Sequence, residues 1–163
     1  VQYIADQVPE KNLAPPNGTV ARAQLQSWLN FIATEIHKGF SPLFNPATPL
    51  EYKTIAIERL QSRLAWVDGE LAGKQYLMGD AFSVADPYLF TVTNWTQPTK
   101  LDISGLANLA AYDIIVFNYF FETQLANVFP EASKTAFMNW SGRAASVGID
   151  APCASGVDVT GQR

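Results

Sequence analysis

Apolar side chains along this chain recur mostly every three or four residues, the spacing of an amphipathic helix rather than the alternation of a strand. Residues 1–8 carry Val1, Ile4, Ala5 and Val8 at that spacing, and Pro9 stops the run. Residues 9–18 hold three prolines, two asparagines and a glycine, the composition of a linker between elements of different domains. Leu25, Trp28, Leu29, Ile32, Ile36 and Phe40 then make one stripe, which predicts a long helix over about 19–41 that Pro42 ends or kinks. After a turn at 44–49, Thr48, Pro49 and Glu51 stand in the order of a cap, a first-turn proline and a capping-box acid. Tyr52, Ile55, Leu60, Leu64, Val67 and Leu71 continue a second stripe to about residue 72, where Gly73 occupies a helix-ending position. Two long helices joined by a short loop pack antiparallel.

The signals beyond are shorter. Residues 74–82 read as a loop, and Ser83 with Asp86 forms a second capping box, S-V-A-D, ahead of a helix to about Trp95. Pro87 in its first turn predicts local irregularity, because it is also a poor partner for Phe82 in a hydrophobic staple. Residues 96–104 read as a loop and 106–112 as the start of a helix. From Asp113 the run IIVFNYFF fits neither period, and from about Asn139 the chain turns rich in Gly, Ser and Ala, which predicts disorder. The fold class this predicts is all-α, a helical bundle of two long antiparallel helices plus shorter ones.

Composition narrows the function classes. With 48% hydrophobic and 16% charged residues the chain is of ordinary globular type, and 12% aromatic residues favour a large core or an apolar cleft. The net charge is -4 and the basic residues are scattered, so the chain lacks the clustered basic face that nucleic acids require. Its most apolar stretch, 114–121, is shorter than the roughly 20 residues a bilayer span needs, so no membrane association is expected. A single cysteine, Cys153, can form neither an internal disulfide nor a cysteine-based zinc site, and fits a cytoplasmic protein. Val1 opens into what reads as the middle of a helix, the mark of a piece of a longer protein.

Three segments carry more than periodicity: WLNFIATEIHKGFSPLF (28–44), GDAFSVADPYLFTVTNW (79–95) and LDISGLANLAAY (101–112). Together with 1–16 they resemble the beta class of bacterial glutathione transferases. The G-D-x-F-S-x-A-D element marks the wider superfamily and E-x-H-K-G-F-S-P-L-F the beta class. The resemblance implies that 1–8 is the last helix of a thioredoxin-like domain, 9–18 the interdomain linker and 19–112 the helical C-terminal domain, whereas 113–163 does not match.

What the family does is attack an electrophilic carbon with the sulfur of glutathione. The resemblance makes His37 the histidine facing that sulfur, able to donate to a thiolate or take its proton. It makes Asn30, Glu35 and Lys38 glutathione-binding positions, and Phe40, Pro42, Leu43, Phe44 and Trp95 the pocket for an apolar electrophile. Ser83 and Asp86 are implied as a structural cap. No cofactor is implied beyond glutathione as co-substrate; the partners are glutathione, small hydrophobic electrophiles and, in the intact family protein, a second subunit. Cys153 matches nothing in the motifs, and most of the glutathione-binding half is missing, so the chain is not expected to act alone.

Plainer readings stand beside these. A lone histidine on a helix is more often exposed or structurally bonded than catalytic, Asn30, Glu35 and Lys38 suit a solvated helix face, and Phe40 and Trp95 suit a core. A second function class, a non-catalytic helical interaction module, and a third, a decayed gene product, remain open at this stage.

Overall fold

The computed structural model describes residues 1–120. Its helices are α1 (Gln2–Asp6), α2 (Val20–Phe31), α3 (Ser41–Phe44), α4 (Leu50–Glu70), α5 (Ala85–Thr93), α6 (Thr96–Thr99) and α7 (Ala107–Phe120). No strand occurs among the described residues, only one isolated bridge between Tyr76 and Gly79. Nor is any described helix long and apolar enough to cross a membrane. Phe121, the Gly/Ser/Ala-rich stretch from Asn139 and Cys153 lie outside the described residues.

α2 starts where Thr19 caps it, its hydroxyl accepting from the Arg22 N–H at 3.1 Å. The rod does not stop at Pro42. It passes through a π-helical segment, Ile32–His37, and a 3₁₀ turn, Lys38–Phe40, before α3. The 3₁₀ turn explains how. Its closing bond gives the Lys38 carbonyl to the Ser41 N–H. In an α-helix that carbonyl would wait for residue 42, a proline with no N–H to offer. The rod tightens one residue early and Pro42 falls in the first turn of α3, where no donor is missed.

α4 packs along the π and 3₁₀ segments and on α3. Leu60, Leu64, Val67 and Leu71 are buried against Leu25, Ile32, Ile36 and Phe40 of the first rod. Tyr52 and Ile55, expected in the same stripe, are more than half exposed: the buried stripe begins only at Ala56. The expected capping box at its start is also not made. Pro49 is the residue before α4 and no side chain caps it, while the Thr48 N–H is used in a turn to the Asn45 carbonyl. Pro49, with φ −55°, sets the entry direction instead. Gly39 lets the rods approach: a Cβ there would lie 2.8 Å from Leu60 Cδ2.

α5 packs on α2 and the π segment. Half of its capping box forms: the Asp86 carboxylate accepts from the Ser83 N–H at 2.7 Å and the Ser83 hydroxyl at 2.8 Å, while the Asp86 N–H goes to the Ser83 carbonyl rather than to its hydroxyl. The irregularity expected from Pro87 does not arise, because Pro87 is the third helical residue, where an N–H has no intrahelical partner anyway. Asp86 also accepts from the Leu77 N–H at 2.9 Å and the Tyr112 hydroxyl at 3.0 Å. One fully buried carboxylate thus joins the 74–82 loop, α5 and α7. Burial pushes its carboxyl up from the ordinary value, against the lowering effect of those donors.

The 96–104 segment is not all loop, since it contains α6, ended by Lys100 in the left-handed region at φ 55°. α7 takes a cap from a distance: Asp68 of α4 accepts from the Leu109 N–H at 2.8 Å and from the Asn108 side-chain amide at 3.1 Å. The helix then runs on past Tyr112 to Phe120, with Ile114 and Val116 buried. Residues through Val116 form one compact unit; those from Phe117 belong to a second, of which only the end of α7 is described.

Candidate functional site

His37 closes the π segment, and its ring projects from the first rod beside α5 and Trp95 just after it. Nδ1 lies 2.8 Å from the Tyr88 hydroxyl. Trp95 meets the imidazole edge-to-face, with centroids 4.7 Å apart and planes at 88°. Phe44 stands against Trp95 at 5.5 Å, and Phe40 against both, at 6.3 Å from Phe44 and 5.8 Å from Trp95. These contacts bound an open hollow of about 400 Å³ lined by His37, Ser41, Phe44, Asn45 and Trp95. Its lining combines two aromatic rings with an imidazole, a hydroxyl and an amide.

The rod's departure from α geometry matters to this arrangement. Short π segments recur where a helix must present a side chain off its regular register. Here the segment runs from Ile32 to His37 itself, so Asn30 and His37 are not separated by two plain α-helical turns. Ser41 and Asn45 follow on α3 and its C-terminal cap, within one turn of each other and of Phe44.

The expected site residues divide into groups. His37, Phe44 and Trp95 meet at the hollow. Phe40 is completely buried behind it, a backing residue rather than a wall, and Leu43 packs against the core. Pro42 is half-buried and does not line the hollow. Glu35 faces α4 instead, accepting from Arg59 at 3.1 Å and Arg63 at 3.0 Å. The Arg59 hydrogen bond leads in holding its carboxyl below the usual value. Asn30 and Lys38 are exposed and do not line the hollow. Ser83 and Asp86 form the cap described above.

Three residues went unread in the sequence: Ser41, Asn45 and Tyr88. Ser41 and Asn45 lie inside the quoted motif or next to it, and only the rod's continuation through Pro42 brings them to the hollow. Tyr88 falls in a stripe with Val84, Val92 and Trp95 at helical spacing, an apparent core position, and nothing local marks its hydroxyl. Burial raises its phenol above the ordinary value, so it keeps its proton. No group of three or more His, Cys, Asp or Glu that could hold a metal occurs among the described residues.

Residues 31–117 match the family described as glutathione S-transferase, C-terminal domain. The chain is similar to glutathione S-transferase GstA of Escherichia coli O157:H7, with 44% identity over 112 residues, 69% of this chain and 56% of that protein. The structure resembles that of BphK, a bacterial glutathione transferase solved as a ternary complex, at TM-score 0.70 and 42% identity, covering 86% of this chain and 64% of that one. It also resembles the beta-class transferase of Sphingomonas chungbukensis, at TM-score 0.66 and 37% identity, covering 85% and 64%. The chain spans a little over half the length of the GstA protein it matches.

Proposed function

This chain belongs to the glutathione S-transferase family through its C-terminal helical domain, of the bacterial beta-class type, and from that premise we propose that it supplies the electrophile-binding half of a glutathione-conjugating site. The observation that carries the reading is the hollow itself: an aromatic wall of Phe44 and Trp95 packed beside an imidazole. Apolar electrophiles gain by leaving water for such a wall, and proximity to a bound thiol then turns a bimolecular reaction into a local one. His37 acts at the sulfur, either by donating to the thiolate or by accepting the thiol proton. The sulfur attacks the electrophilic carbon, and the leaving group departs with its electron pair.

The rest of the proposal follows the family. Residues 1–8 end a thioredoxin-like domain, 9–18 link it to the helical domain over 19–112, and Lys38 and Asn30 approach glutathione from the exposed face. Glu35 contributes through Arg59 and Arg63, to which it is paired. A homodimer is part of the proposal, supported by the exposed Tyr52 and Ile55 of α4.

Chromatography on immobilised S-hexylglutathione, which presents both the tripeptide and an apolar group, tests the reading. The chain is expected to be retained and to elute with the free ligand, and Phe44→Ala should weaken binding about tenfold, or about 1.4 kcal/mol. A chain that passes through unretained contradicts the proposal and favours a helical interaction module.

A further inference from the structure

We infer that Tyr88 is a positioning residue that sets the tautomer of His37: its hydroxyl donates to Nδ1, so that the neutral imidazole carries its proton on Nε2 and offers that N–H as a donor at the site.

The pair is close and isolated. Tyr88 Oη and His37 Nδ1 are 2.8 Å apart, on segments 51 positions distant in sequence. Among the described residues, Nδ1 is the hydroxyl's partner, and Nε2 has none. Two directions are possible in principle, and three considerations choose between them. An unprotonated imidazole nitrogen is a strong acceptor, whereas a phenol oxygen is a weak one, its lone pair being shared with the ring. The hydroxyl proton is retained, because burial disfavours the phenolate. If Nδ1–H were the donor, that hydroxyl proton would be left to seek water from a half-buried position. The bond made by one imidazole nitrogen decides which form the other takes.

The aromatic frame makes the assignment directional. Trp95 holds the imidazole edge-to-face at 88°, and Tyr88 itself stands at 75° with centroids 5.8 Å apart. A ring flip, which would put Cδ2 where Nδ1 lies, would break the 2.8 Å bond. Tyr88 thus orients His37 by donating to Nδ1, and so fixes the tautomer opposite to the one a carboxylate fixes by accepting from Nδ1–H, without adding a charge.

Its consequence for the reaction rests on the function proposed above, although the tautomer itself does not. A ring with Nε2–H cannot take the thiol proton at Nε2. The S–H bond would lose its proton to solvent, and the resulting thiolate would accept a hydrogen bond from Nε2–H. His37 then favours the charged nucleophile by donation and ends the cycle unchanged.

The chain has one histidine, so its imidazole nitrogens are assigned without further variants. Long-range ¹H–¹⁵N correlation spectra of the unliganded chain at about pH 9, well above the usual imidazole range, read the tautomer directly. The inference predicts a pyrrole-type shift at Nε2 and a pyridine-type shift at Nδ1. In Tyr88→Phe the two shifts should move toward each other, toward the mixture shown by free histidine. A wild-type spectrum with the proton on Nδ1, or the free-histidine mixture itself, overturns it. So does a folded Tyr88→Phe variant with unchanged shifts. Should that variant not fold, the wild-type spectrum alone decides. Because no glutathione is present, failure here is distinct from failure to bind S-hexylglutathione.

Discussion

At the scale of single residues, position in space overrides residue type. Gly39 looks like a helix weakness in sequence, since glycine lowers helix propensity. Its cause lies across the interface, where Leu60 Cδ2 would come within 2.8 Å of a Cβ. Gly39→Ala should therefore destabilise the chain by about 1–3 kcal/mol despite the better propensity, as overpacking does. Chemical denaturation checks this; a stabilised variant would mean the rods part easily. Leu60→Ala, which empties a fully packed site, should cost about 2–5 kcal/mol by the same measurement. His37 was legible because it sits in a distinctive motif, whereas Tyr88 was not, since a tyrosine on an apolar stripe reads the same whether its hydroxyl has a partner or not. Arg22 is a comparable case. A nearly buried arginine cannot be told from a solvated one by spacing, yet here it pairs with Asp6 at 2.5 Å and reaches the Pro15 carbonyl. It pins α1 and the segment around Pro15 to α2.

At the scale of elements, legibility follows the range of the interaction that decides each boundary. The Ser83–Asp86 box spans three residues and was readable. The start of α7 was not, because its cap comes from Asp68, 41 positions away. Asp68→Ala should cost about 1 kcal/mol, the loss of an N-terminal cap, and amide exchange at Leu109 should rise more than in α4. Unchanged protection at that amide would show that α7 is held by packing alone. In the first rod the stripe was legible and the proline at 42 predicted an end or a kink; the rod departs from α geometry in a 3₁₀ turn that diverts the carbonyl concerned, and then continues. The π segment is invisible to a period search, because six residues are too few to shift a stripe of twenty. The short stripe of α4 erred at its start, where Tyr52 and Ile55 match the period and face outward.

At the scale of the whole molecule, charge burial sets how stability depends on pH. Burial pushes Asp113 up to about 8, while the Thr93 hydroxyl, 3.0 Å away, acts in the lowering direction. Asp86 is raised by the same cause. A carboxyl raised in the folded state binds a proton that the unfolded chain has released. Its contribution is whole below the ordinary carboxylate value and is lost as pH rises through the folded one. Glu35 and Asp102 are lowered and act the other way, losing their contribution only as pH falls below the ordinary value. Between about pH 5 and pH 9 the raised pair governs, so the melting temperature should fall with rising pH, and Asp113→Asn should flatten that fall. A melting temperature that climbs over this range would contradict it. The all-helical architecture and the family were legible because they rest on repeated spacings and a dense motif. Which motif residues face the hollow was not, since Glu35 turning to Arg59 and Phe40 sinking into the core depend on α4.

The central claim is that the hollow beside His37 receives the electrophile, and NMR on the single histidine and the four tryptophans tests it most directly. On titration with a dinitrophenyl conjugate of glutathione, the His37 ring protons and the Trp95 indole should shift together and saturate at the same ligand concentration. Saturating shifts confined to Trp28 and Trp66, with His37 and Trp95 unmoved, would contradict the account.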